Sequence, residues 1–152
     1  MLFISRAEVE QLLDLDALMD ALETAFIELS EGRASVPPRV AAFPHGGLLG
    51  AMPGYVSGTL AAKLVSVFPK NVDHGRPSHQ ALIALFDATN GTPLAIMDGT
   101  EITATRTACA SAVATRALAR KDVEILAVIG AGVQGRAHLE AVPRVRRFTE
   151  VR

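Results

Sequence analysis

The sequence has a single cysteine, Cys109, so no internal disulfide can form; the chain fits a reducing compartment and is read as cytoplasmic. Net charge is nearly absent. A formal −1 at pH 7, from 15 basic and 16 acidic side chains, gives no overall attraction to nucleic acid or to an anionic membrane. No stretch reaches the roughly 18 uncharged apolar residues that would span a bilayer. The most apolar segment, residues 48–67, is interrupted by Pro53, by glycines and by Lys63. The opening Met-Leu-Phe-Ile-Ser-Arg lacks the basic lead and long apolar core of a secretion signal. His45, His74, His79 and His138 fall without metal-ligand spacing, so no metal site is expected. The one basic concentration is Arg144, Arg146, Arg147 and Arg152. Only Phe148 is interleaved with it, and it reads as solvated surface rather than a base-stacking patch.

What is present is the composition of a globular protein, 49% apolar and 20% charged. Ser5 and Glu8 form a capping box for a helix over about residues 6–13. Asp14 caps a longer helix whose apolar positions Leu15, Leu18, Met19, Leu22, Phe26 and Leu29 share one face; Gly32 stops it. Pro37-Pro38 then breaks the helical pattern. Arg39–Phe43, Gly47–Met52, Leu60–Phe68, Gln80–Phe86 and Pro93–Met97 read as strands, with Asn90-Gly91 as a hairpin turn, which predicts an antiparallel sheet. Asp98-Gly99 ends that sheet. A helix rich in small residues (Ala104, Ala108, Ala110, Ser111, Ala112, Ala114) is predicted over about 102–119. After the polar junction Arg120-Lys121-Asp122, the run Ile125–Ile129 suits a strand buried on both faces, as in a parallel sheet. The expected fold is mixed α/β (α+β): an antiparallel-sheet domain with N-terminal helices over 1–120, then a βα unit over 121–152 that opens a parallel-sheet domain.

That apolar run leads straight into Gly130-Ala131-Gly132-Val133-Gln134-Gly135, a G-x-G-x-x-G with a strand before it and a helix after it. Gly130 makes the tight turn, Gly132 lets a pyrophosphate approach the backbone, and Gly135 lets the helix sit close to the strand. The helix N-terminus offers N–H groups and a partial positive charge to the phosphates. Phe148–Arg152 reads as the opening of the next strand. The acidic or basic residue that chooses between NAD and NADP lies roughly 20 residues beyond the motif, at the end of that strand. It falls past Arg152, so both cofactors stay open.

The order and spacing of several further segments make the pattern specific. Pro38-Arg39 is followed by Met52-Pro53, Ala62-Lys63-Leu64-Val65, Pro69-Lys70-Asn71 and Asp87-Ala88-Thr89-Asn90-Gly91-Thr92-Pro93-Leu94-Ala95. Ile102-Thr103, Thr105-Arg106-Thr107-Ala108 and the glycine motif complete it. Together these resemble the ornithine cyclodeaminase/mu-crystallin family. The resemblance covers the whole chain and about the first half of a family member. It implies an NAD(P)-dependent oxidoreductase moving a hydride at the α-carbon of an amino or imino acid, as a cyclodeaminase, alanine dehydrogenase or ketimine reductase does. It also implies that residues 1–120 are the substrate-binding and dimerisation domain, through which a homodimer forms, and that residues 121–152 are the first βα unit of a Rossmann NAD(P)-binding domain. A non-enzymatic ligand-binding or crystallin-like role is the alternative.

The resemblance further implies Arg39, Lys63, Arg106 and Met52 as substrate-binding residues. Guanidinium groups suit two-point binding of an α-carboxylate. Gly130, Gly132, Val133, Gln134, Gly135, Thr105, Arg106 and, less strongly, Ser78 are implied cofactor contacts. The family's catalytic aspartate lies beyond Arg152, so no catalytic residue is assigned and the 152 residues alone read as an inactive fragment. Asp73, Asp87 and Asp98 read as turn or cap residues. Cys109 reads as a buried small hydrophobe. Residues 40–72 contain no Asp or Glu. A second substrate ammonium would need a carboxylate there, so the stretch leans toward a small apolar amino acid or a cyclic ketimine over ornithine.

Overall fold

A computed structural model describes residues 1–152. The chain divides into two compact units, each assembled from two segments: residues 1–12 with 27–101, and residues 13–26 with 102–152. Residue 120, the expected domain junction, falls within the second.

The first unit is built on a six-stranded sheet. In chain order its strands are β1 (Leu2–Ile4), β2 (Val40–Ala42), β3 (Leu48–Val56), β4 (Thr59–Val67), β5 (His79–Phe86) and β6 (Pro93–Asp98). Their spatial order is β1-β6-β5-β4-β3-β2. Neighbours from β2 to β6 are antiparallel, as the hairpin signals predict. The sheet as a whole corrects the expectation, however, because β1 joins its edge parallel to β6, pairing Leu2 with Ala95 and Ile4 with Met97. Three residues are too few to show an alternation, and their partner is some ninety residues away, so no local pattern announces this strand. Helix α1 (Arg6–Leu12) follows β1 and packs on β6. Its capping box forms as predicted: Ser5 N–H and Oγ–H donate to Glu8 Oε2 at 2.7 and 2.6 Å, and Glu8 N–H donates to Ser5 Oγ at 3.4 Å.

The β3–β4 hairpin turns through Ser57 and Gly58, both left-handed at φ 51° and 75°, as a two-residue primed turn requires. Glu28 holds the turn by accepting the Ser57 N–H at 2.8 Å. Strand β3 runs through Pro53 instead of ending at Met52. Tyr55 exchanges hydrogen bonds with Ser35, on the side away from β4 (N–H to Ser35 O at 2.9 Å, O from Ser35 N–H at 2.8 Å). Two residues earlier, Pro53 turns the side that lacks an N–H the same way, and β2 pairs only as far as Ala51. A missing donor on a free edge costs no ladder bond. The Asn90-Gly91 hairpin is longer than a two-residue turn. Asp87 and Thr92 close it at 2.9 Å and only Gly91 has positive φ.

The second unit contains most of α2 (Leu15–Ser30), most of α3 (Thr100–Leu118), β7 (Ile125–Leu126), α4 (Val133–Ala141) and β8 (Glu150–Val151). Asp14 Oδ1 caps α2 by accepting the Ala17 N–H at 2.7 Å. The core gathers Met19 from α2, Ala108, Cys109, Ala112 and Val113 from α3, and Ala141 with Val142 at the end of α4. Small α3 residues let these helices close on one another, and Cys109 is fully buried there, its thiol pushed up by desolvation. The predicted strand over Ile125–Ile129 is shorter than expected, and its faces are open, as a single strand and helix leave them. Ile125 and Leu126 pair in parallel with Glu150 and Val151, and Val128 N–H donates to the Arg152 carbonyl at 2.8 Å, while Ile125 is half-exposed and Ile129 lies open to solvent. One neighbouring strand and one following helix do not cover two faces. The arginine cluster is largely spent on the protein itself. Arg144 pairs with Asp16 at 2.7 Å, Arg152 with Glu150 at 2.6 Å, and Arg146 donates to the Arg116 and Ala119 carbonyls that end α3, at 2.8 and 3.0 Å.

Candidate functional site

In the first unit the sheet register determines which side chains can act together. Lys63 pairs with Met52 on one side and Ile83 on the other, and Ile83 pairs with Met97. Directly paired residues share a face, so Lys63 stands half-buried in the middle of an apolar row. Arg39 is exposed and precedes β2 by one residue; Val40 pairs with Ala51, which brings Arg39 alongside Met52. Sequence reasoning assembled Arg39, Met52 and Lys63 from separate segments, and the register makes them neighbours. Ser78 is at the far end of the sheet, where its carbonyl accepts the Phe68 N–H at 2.8 Å.

His79 opens β5 and, by two-residue alternation, shares the face of Ile83 and Lys63. Burial lowers its pKa from the ordinary histidine value, and the Lys63 charge lowers it further. Sequence reasoning passed over His79 as a scattered histidine. Its place four residues before the partner of Lys63 was the available signal.

Asp98 belongs to the opposite face, in a row with Leu82, Leu64, Ala51 and Val40. Its carboxylate accepts the Thr100 and Glu101 N–H groups at 2.9 and 3.4 Å, capping α3 as expected. Asp87 accepts the Thr89 N–H and hydroxyl at 2.7 and 2.5 Å, which holds it ionised below the usual carboxylate range. Leu49, Leu64 and Leu82 on this face are about half-exposed and floor a groove of about 530 Å³, whose polar members include Ser66, Gln80 and Arg6.

In the second unit the glycine motif occupies the segment from β7 to α4. Gly130 has φ 108°, a left-handed conformation suited to glycine. Gly132 is the N-cap of α4 in extended conformation, and a Cβ there would meet nothing within 4 Å. No side chain caps the helix, so its first N–H groups are not taken by one. At Gly135 a Cβ would overlap the Gly130 carbonyl oxygen. Val133 and Gln134 are exposed beside this opening. Thr105 is partly buried and Arg106 exposed on α3. His138, also passed over in the sequence, has both ring nitrogens engaged: Nδ1 is 2.7 Å from the Gln134 carbonyl and Nε2 is 2.9 Å from Ser111 Oγ. No three His, Cys, Asp or Glu side chains come together as a metal-ligand group.

The fold and these residues define a mixed α/β protein with a lysine-centred apolar sheet face and a glycine-lined opening at a helix N-terminus. The ornithine cyclodeaminase/mu-crystallin family model matches residues 1–152, and the chain belongs to that family. It is 40% identical over 158 aligned residues to the ketimine reductase mu-crystallin of Rattus norvegicus, an alignment covering 99% of this chain and 50% of that one. The solved Δ1-pyrroline-2-carboxylate reductase of Thermococcus litoralis, in complex with NADH and L-proline, is similar at a TM-score of 0.93 and 46% identity, covering 99% of this chain and 48% of that one. An archaeal alanine dehydrogenase dimer with bound NAD gives 0.96 and 39%, covering 99% and 47%. The chain spans about half the length of the curated relatives it matches.

The lowered pKa of His79 has a consequence for stability. Between its folded-state value and the unfolded value of about 6.5, the unfolded chain binds more protons, so stability falls as pH drops through that window. Thermal melts at pH 7.5 and 5.5 should show a larger drop in Tm for the wild type than for His79→Gln. Equal drops would show that His79 does not carry the effect.

Proposed function

We propose that the chain is the N-terminal part of an NAD(P)-dependent oxidoreductase acting at the α-carbon of an amino or imino acid. The observation that carries this reading is the glycine turn. Gly132 leaves open space at the start of α4, while Gly135 is pressed against Gly130 so that the helix begins close to the strand. A pyrophosphate needs that combination, bare backbone and unspent N–H groups at a helix N-terminus. Gly130, Gly132, Val133, Gln134 and Gly135 hold it in this reading, with Thr105, Arg106 and Ser78 as further cofactor contacts. The named cofactors of the T. litoralis reductase and the archaeal dehydrogenase support the assignment. Residues 121–152 are accordingly the opening βα unit of a Rossmann domain, and residues 1–120 the substrate and dimerisation part. When bound, the nicotinamide supplies or accepts the hydride.

The chain's own residues bind and orient the substrate. Lys63 and Arg39 offer cationic groups on one sheet face, with Met52 between them as apolar wall; Arg106 is assigned to the substrate on the family resemblance alone. No carboxylate here is assigned acid–base work, since Asp87 and Asp98 are committed to turn and cap N–H groups. The 152 residues alone are therefore inactive in this reading. The strand residues on the Lys63 face include neither Asp nor Glu, which favours a substrate without a second ammonium. The opposite face, with Leu49, Leu64 and Leu82 half-exposed, is the surface we assign to pairing with a second copy, in line with the dimer of the archaeal relative.

Three measurements test these points. The first is NADH fluorescence titration. The wild type should bind, and Gly132→Ala, which meets no protein atom, should weaken binding roughly tenfold or more at an unchanged Tm. Equal affinity in the variant would defeat the pyrophosphate reading. In a full-length parent, alanine or a cyclic ketimine should be turned over ahead of ornithine, and the 152-residue chain should turn over none. Ornithine leading would overturn the substrate class, and turnover by the short chain would overturn its inactivity. Finally, Leu64→Asp with Leu82→Asp should convert a dimer to a monomer in sedimentation without loss of helix signal; a dimer that survives both changes places the interface elsewhere.

A further inference from the structure

We propose that His138 is a positioning residue for the dinucleotide, locking the phosphate-facing turn of α4 in register against α3. The inference rests on the nucleotide-binding reading above. His138 is one helical turn beyond Gln134, and its Nδ1 lies 2.7 Å from the Gln134 carbonyl oxygen. A carbonyl only accepts, so Nδ1 bears the proton. In the neutral ring Nε2 is then an acceptor, and the Ser111 hydroxyl donates to it at 2.9 Å. The imidazole thus joins the backbone of the first turn of α4 to a side chain of α3.

The remainder of that contact is apolar and built from small groups. Ala108, Cys109, Ala112 and Val113 of α3 share a core with Ala141 and Val142 at the other end of α4. Such burial holds two helices together but is non-directional, and alanine surfaces offer few ridges to fix an axial position. A hydrogen bond with a fixed tautomer is directional. It sits three residues after Gly135 and five after Val133, on the helix whose first N–H groups face the opening at Gly132. An axial slip of α4 would move those donors away from a phosphate that rests on them. Fixing them before the ligand arrives lowers the ordering cost of binding.

The test uses His138→Leu, His138→Gln, Ser111→Ala and the double variant His138→Leu/Ser111→Ala. The readouts are the NADH dissociation constant and amide hydrogen exchange at Arg136–Leu139, the first α4 amides that have helical acceptors. His138→Leu and Ser111→Ala should each weaken NADH binding by roughly five- to tenfold and speed that exchange. The double variant should be no weaker than the single ones, because one interaction is removed. His138→Gln, whose side-chain amide reaches the position of Nε2, should stay within about twofold of the wild type. Unchanged affinity and exchange in His138→Leu and Ser111→Ala, whatever their Tm, would reduce His138 to packing and overturn the proposal. A His138→Gln as weak as His138→Leu would do the same. Failure of the wild type to bind NADH would overturn the nucleotide reading itself, and the positioning role with it.

Discussion

The backbone at Gly135 lies so close to the Gly130 carbonyl that no methyl group fits between them. This one steric constraint determines how the chain passes from β7 into α4. The turn must be tight, Gly130 must be left-handed, and the helix must start beside the strand end instead of beyond it. The same tightness leaves Gly132 facing solvent with nothing above it. At the other end α4 is tied down by Ala141 and Val142 in the core. The helix is therefore held at both ends, and its opening turn is the part presented outward.

The sheet of the first unit separates two chemistries by its pleat. Lys63 emerges on one face among Met52, Ile83 and Met97; Asp98 emerges on the other beside Leu82 and Leu64. Because side chains alternate with a period of two, a one-residue slip of β4 would send Lys63 to the wrong face. The register is pinned by the Ser57-Gly58 turn, whose left-handed pair fixes where β3 ends and β4 begins, with Glu28 bonded to the turn backbone.

Much of this was legible in the sequence where the signal is local. Ser5 with Glu8, Asp14, Gly32, the strand alternation and the glycine hexapeptide each act within one turn or one hairpin, and each appears in the structure where its chemistry requires. What escaped depends on distant partners. The strand Leu2–Ile4 exists because β6 offers a parallel edge. Pro53 breaks nothing because its neighbour strand stops at Ala51. The apolar run after residue 124 was legible as a strand but not in its length, which depends on how far its neighbour strand extends. In the candidate site, Arg39, Met52 and Lys63 could be chosen by resemblance, but their adjacency is a property of register. His79 and His138 carry no motif and become visible only through the groups beside them.

Both units are assembled from segments that are not contiguous in the chain. The stripe of Leu15, Leu18, Leu22 and buried Met19 on α2 waits for α3 and for Ala141 and Val142. Those partners are synthesised about ninety or more residues later, on the order of 5–20 s at ribosomal speeds. Throughout that interval an oily helix emerges from the ribosome with nothing to cover it. The face that holds the second unit together is thus complete only once the last third of the chain has been made.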